Sequence, residues 1–223
     1  MRGSIWDAVR SIFPGSEGRL LRRVDPIGEG QPLRIAGIIQ DSRVNGPGRR
    51  AVVHLQGCTL ACPGCFNPET HDAAAGTTVC IRELADVLAK TEPDGVSISG
   101  GEPFQQRDGL VALVAALRRR GVRSILVFTG YTLAELERSP HGVQSLEGID
   151  VLVAGRYDVK VGPGGPLLGS GNQRIHLLTN VHDVEALQME KAETELHIAT
   201  DGTITMTGFP PAKLRQAIRA LKK

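Results

Sequence analysis

Three cysteines, Cys58, Cys62 and Cys65, fall within the stretch HLQGCTLACPGCFN, and their C-x3-C-x2-C spacing constrains this chain more than any other feature. Clustered thiolates at this spacing imply an iron–sulfur site. In a 4Fe-4S cubane each iron normally takes one thiolate, so three thiolates leave one iron with an open position at which a substrate can bind. The competing reading is a structural zinc site closed by a fourth ligand such as His54, His71 or Cys80. Zinc ribbons usually pair two C-x2-C units, and this sequence carries one.

The remaining composition narrows the setting. Three of the four cysteines are packed together, which argues against a secreted disulfide framework and for a reducing compartment. The fourth, Cys80, opens a helical pattern and reads as a small buried hydrophobe. With 26 Lys+Arg against 24 Asp+Glu the net charge is +2, no footprint for nucleic acid or an anionic membrane. Asp7, Arg10 and Pro14-Gly15 interrupt any N-terminal apolar run, and no stretch approaches the ~20 apolar residues of a membrane span. The expectation is a cytoplasmic protein whose 223 residues form one well-buried core.

Along the chain, Ile5, Trp6, Val9, Ile12 and Phe13 share one face of a helix predicted over residues 1–13. A Gly-, Pro- and charge-rich connector follows, to residue 34. Strand-like runs lie near 34–40, 51–56, 95–99, 123–129, 149–153 and 174–179, with helical periodicity from Ile81 and from Leu110 between them. This alternation predicts an α/β fold with a largely parallel sheet. The cysteine loop and a Ser99-Gly100-Gly101-Glu102-Pro103 segment then both leave the C-terminal ends of strands, the edge where sites gather in parallel sheets. Asp201-Gly202 between two β-like runs predicts a hairpin, and Leu214, Ile218 and Leu221 form the apolar face of a closing helix.

Alone, Ser99 to Pro103 would be an ordinary turn. Following the cysteines by about 35 residues, it makes the sequence resemble the radical S-adenosylmethionine (SAM) superfamily. The resemblance implies a partial (β/α) barrel over residues 35–180, with an N-terminal helical extension (1–34) and a C-terminal hairpin-and-helix extension (181–223). It also implies a 4Fe-4S cluster on Cys58, Cys62 and Cys65, whose open iron chelates SAM and whose electron cleaves it to a 5′-deoxyadenosyl radical. Gly100, Gly101 and Glu102 would orient the methionine end of SAM, the glycines by letting backbone approach closely. Glu102 would fix the loop or the ammonium.

Further segments occur in order: Asn45-Gly46-Pro47-Gly48-Arg49, Cys62 to Asn67, Phe128-Thr129-Gly130-Tyr131, Ile149 to Val153 and Gly169-Ser170-Gly171-Asn172-Gln173. Together they resemble the activating enzyme of anaerobic, class III ribonucleotide reductase and related glycyl-radical activases, over about residues 35–176. The likeness places Phe66, Thr129 and Asn172 in the SAM pocket. Each segment also has a plainer reading. Asn45 to Gly48 can be a turn between strands, Gly169 to Asn172 a loop, Asp150 a partner for a strand-edge amide, His54 a packed core residue and Arg118 to Arg120 a solvated helix end.

Gly64, immediately before the third cysteine, fits that branch; Phe66 and His71 stand where the branch usually shows tyrosine and tryptophan. The resemblance implies an electron donor of flavodoxin or ferredoxin type and a glycyl-radical enzyme as partner. The alternative is direct radical chemistry on a small molecule or peptide, with the terminal segments closing the barrel. A non-catalytic electron-transfer or structural metal module is the third reading.

Overall fold

A computed structural model of the chain describes residues 28–183, 194–198 and 204–211, with isolated positions within 185–187 and 213–217. The predicted N-terminal helix, most of the connector, the Asp201-Gly202 turn and most of the closing helix lie outside the described residues.

The elements run β1 (Pro32–Ser42), β2 (Arg50–Leu55), β3 (Thr77–Cys80), α1 (Ile81–Ala89), β4 (Gly95–Gly100), α2 (Arg107–Arg119) and β5 (Ile125–Thr129). Two short helices, α3 (Leu133–Leu136) and α4 (Pro140–Gln144), precede β6 (Val151–Ala154) and β7 (Arg174–Leu177). β8 (Thr194–Ile198) and β9 (Ile204–Gly208) pair antiparallel as a separate hairpin.

One seven-stranded sheet has the order β3-β1-β2-β4-β5-β6-β7. Its centre, β2-β4-β5-β6, is parallel, while β1 and β3 at one edge and β7 at the other run antiparallel. The sheet is therefore more mixed than expected, and the connections explain why. Parallel neighbours need a crossover, which α1, α2 and the α3–α4 segment supply. The β1–β2 turn and the helix-free loop from β6 to β7 return each chain antiparallel. The six predicted strands are all present. The seventh, β3, is a four-residue Thr-Thr-Val-Cys run, too short to show periodicity.

Alternation along the central strands sorts side chains onto two faces. Val53, Leu55, Val96, Ile98, Ile125, Val127 and Leu152 form one buried cluster with Ile81, Leu84 and Leu88 of α1 and Leu110, Leu113 and Leu117 of α2. Each such side chain contributes about 1.5–3 kcal/mol by leaving water. Leu126, Val151 and Val153 point the other way, into a smaller cluster with Leu167 and Leu187 that Phe128 and Phe209 flank. Both faces are covered, as buried parallel strands require.

Two polar networks hold the loops. Arg50 is fully buried and donates to Ser97 Oγ (2.7 Å), Val96 O (2.9 Å), Pro47 O and Ser124 Oγ (both 3.1 Å), fastening the Asn-Gly-Pro-Gly loop to β4 and β5. Asp150 accepts from Ile125 N and Thr179 Oγ1, each at 2.7 Å, and from Arg118. It does satisfy a strand-edge amide. The arginines do more than end α2 in solvent: Arg118 pairs with buried Asp150, and Arg119 and Arg120 pair with Glu29.

Candidate active site

Parallel pairing of β2 and β4 sets Leu55 opposite Gly100, so the cysteine loop and the Gly-Gly-Glu turn leave one sheet edge side by side. They open on a cavity of about 420 Å³, within the usual range for ligand sites. Cys58, Cys62, Cys65, Phe66, Gly100, Gly101, Glu102 and Thr129 all line it.

The cysteine loop is shaped by its backbone. Gly57 N donates to Thr70 O (2.8 Å), Cys58 N to His71 O (3.1 Å) and Cys65 N to Cys62 O (3.1 Å). Ala61 and Gly64 take left-handed conformations (φ 47° and 73°), turning the chain back twice between the first and third cysteines. The three thiols are free and half-buried. Burial pushes those of Cys58 and Cys65 above the usual thiol range, only partly offset by nearby backbone amides. Coordination to a metal centre supplies the missing driving force for deprotonation.

This donor set fits an iron–sulfur cluster. It consists of three soft sulfur ligands beside an open cavity. Among the described residues no three His, Cys, Asp or Glu side chains converge on a single ion; in a cubane each thiolate binds a different iron, so the sulfurs stand apart. Cys80, one candidate for a fourth zinc ligand, instead donates to Glu29 O (3.3 Å) and does not line the cavity.

In the Gly-Gly-Glu turn the glycines serve the chain's own packing first. A Cβ on Gly100 (φ 101°) would lie 2.5 Å from Leu55 N, and one on Gly101 would strike the carbonyl oxygen of Gly57, the residue before Cys58. Close approach is thus required between the two motif loops themselves. Glu102 is 1% exposed. Its carboxylate accepts from Phe104 N (3.0 Å), Thr129 Oγ1 (2.8 Å) and Gly130 N (2.8 Å), tying the end of β4 to that of β5. Burial raises its pKa above the usual carboxylate value, against the opposing pull of these donors and of Arg156.

Phe66 is caged. Tyr157 meets its ring edge-on at 4.8 Å, Phe209 at 5.9 Å, and a Cβ on Gly169 would lie 2.9 Å from it. Asn172 is not brought into the cavity: it is exposed and its Nδ2 donates to Arg156 O (2.7 Å). Gln173 lines the cavity instead, braced by Ser170 N (3.1 Å) and Gly155 O (2.8 Å).

Several lining residues escaped the sequence reading. His54, read as a core residue, faces the cavity, where burial pushes its pKa down to about 4 and keeps the ring neutral. Asn45 is more than a turn residue, since it lines the cavity and donates to Thr207 Oγ1 (2.7 Å) of the hairpin. Ile204, Met206, Thr207 and Phe209 form a wall contributed by the C-terminal hairpin. The sequence shows this hairpin as two β-like runs about Asp201-Gly202, but not where it docks.

Residues 44–176 match the family described as 4Fe-4S single cluster domain, which makes this a protein of the iron–sulfur class. The chain is 36% identical to the anaerobic ribonucleoside-triphosphate reductase-activating protein of Vibrio cholerae serotype O1, over 61% of this chain and 92% of the relative. It is 35% identical to that of Escherichia coli K12 (60% and 92%) and 33% identical to that of Enterobacteria phage T4 (59% and 86%). The chain belongs to the family of these activating proteins. The crystal structure of QueE from Escherichia coli aligns with a TM-score of 0.41 and 19% identity, over 49% of this chain and 58% of that one. Among the described residues no helix is long and apolar enough to cross a membrane.

Proposed function

We propose that this chain is a radical SAM enzyme that activates an anaerobic ribonucleotide reductase by taking a hydrogen atom from one of its glycines. The observation that carries this reading is the convergence of the cysteine loop and the Gly-Gly-Glu turn on one cavity at the C-terminal edge of the parallel strands. The central parallel strands with their helices would form the partial barrel, within a core spanning 35–180.

Cys58, Cys62 and Cys65 would hold the 4Fe-4S cluster. When bound, the cluster supplies the electron, drawn from a flavodoxin- or ferredoxin-type donor, that cleaves SAM to methionine and a 5′-deoxyadenosyl radical. Gly100 to Glu102 orient the methionine end, Glu102 chiefly by fixing the loop. Phe66 and Thr129 bound the adenosyl side, and Asn172 acts from outside the cavity by holding the Arg156 carbonyl.

A second reading, radical chemistry on a small molecule, draws on the hairpin that walls the cavity. Anaerobic reconstitution followed by dithionite and SAM tests the first step: about four iron per chain and release of 5′-deoxyadenosine are expected. Adding the reductase separates the two readings. A glycine-centred radical signal on the reductase supports activation; 5′-deoxyadenosine formation with no such signal supports the small-molecule reading.

A further inference from the structure

Four uncharged polar side chains meet the cavity with hydrogen-bonding capacity unused. His54 on β2 lies opposite Ser99 on β4 in the parallel register, and neither side chain has a hydrogen-bond partner among the described residues. Asn45 commits both amide protons, to Ser42 Oγ (2.8 Å) and Thr207 Oγ1 (2.7 Å), and keeps its carbonyl oxygen as an acceptor. Thr207 Oγ1 accepts that bond and keeps its proton to donate. The two pairs are continuous: Asn45 O accepts from Ser97 Oγ (2.6 Å), two residues before Ser99 on the same strand face. The unpartnered polar atoms of His54, Ser99 and Asn45 are not among the fully buried ones, and all four residues line the cavity.

The set carries no charge, because burial holds the His54 ring neutral. It therefore offers hydrogen bonds and no ion pair. Donors and acceptors in mixture instead suit the peptide group, which presents one N–H and one C=O per residue. Glycine has no side chain, so at that residue recognition falls to those amides. Thr207 comes from the β8–β9 hairpin, outside the residues 44–176 that match the family.

We propose that His54, Ser99, Asn45 and Thr207 form a backbone-reading subsite that positions a glycine-bearing peptide segment of the partner beside the cluster. The inference rests on the activase reading above and names how its substrate is held.

The test uses cluster-loaded protein, SAM and an anaerobic reductase carrying α-deuterated glycine, and reads deuterium in 5′-deoxyadenosine together with the Kd for SAM. His54→Leu and Thr207→Val, each removing one side of the subsite, are expected to lower deuterium transfer about tenfold. His54→Gln, which restores a donor and an acceptor, should recover most of it. Label transfer unchanged in both apolar variants would overturn the proposal. So would a loss matched by an equal loss of SAM affinity, which would assign these groups to SAM. If wild type cleaves SAM and moves no deuterium, the activase reading fails and this subsite with it; if wild type moves deuterium and both variants do so equally, only the subsite fails.

Discussion

Two parts of the molecule line one cavity by different means. The core from β2 to β5 brings the cysteine loop and the Gly-Gly-Glu turn together through strand register, with glycines where the two backbones touch. The β8–β9 hairpin reaches the same cavity through a few side-chain contacts: Thr207 with Asn45, Glu195 with the Arg43 amide (2.8 Å), and Phe209 with Phe66 and Phe128. The contrast teaches that the two motif loops are held by backbone geometry, which tolerates little change, whereas the hairpin wall is held by side-chain contacts that can vary one by one.

The largest expected effect breaks the core side. Replacing Cys58, Cys62 or Cys65 by Ala should abolish most cluster absorbance and iron content, whereas Cys80→Ala, away from the cavity, should leave both intact. Iron analysis after anaerobic reconstitution decides, and a normal cluster in any of the first three variants sinks the ligand assignment.

Next comes Gly101→Val. Because its side chain would strike Gly57 O beside Cys58, it should lose cluster as well as SAM binding and cost about 1–3 kcal/mol of stability. A variant that kept a full cluster and lost only SAM would show that this glycine serves the ligand, not the fit of the two loops.

A smaller effect sharpens the hairpin side. Phe209→Ala removes a ring that is only half-buried, so about 1–2 kcal/mol is expected, with the cluster formed but more rapidly stripped by an iron chelator. Equal stripping rates in wild type and variant would mean that the hairpin does not cover the cluster.

The smallest is a pH effect. His54 has a folded pKa near 4 against 6.5 in the unfolded chain. The unfolded chain takes up the proton first, so this contribution is complete above pH 6.5 and is lost as pH falls toward 4. Relative to His54→Leu, wild type should lose about 1–2 kcal/mol over that window, discounted because the ring meets cavity water. Parallel melting curves from pH 7 to pH 4.5 would show instead that the ring is freely solvated.

The difference between the two regions also governs what could be read beforehand. Strands rich in Val, Ile and Leu, such as Ala51 to Leu55 and Ile125 to Phe128, declare themselves, and so do thiolates at fixed spacing. Their register is implied once both motifs leave strand ends. The antiparallel edges were not legible, because strand direction depends on whether a connection carries a crossover. Nor was the role of Arg50, whose burial depends on oxygens of Ser97, Val96 and Ser124 that are distant in sequence. The position of Thr207 lies furthest from sequence, since its bond spans 162 residues to Asn45. Asn172 shows the converse: a matching motif fixed the loop, while its side chain turned to Arg156 and its neighbour Gln173 took the cavity.

The most direct measurement of the central claim combines both regions in one tube: anaerobic, cluster-loaded protein with dithionite, SAM and the reductase, followed by quantification of 5′-deoxyadenosine and by electron paramagnetic resonance. The account predicts 5′-deoxyadenosine together with a persistent glycine-centred radical on the reductase, both absent in Cys62→Ala. A fully loaded cluster that leaves SAM intact would contradict it.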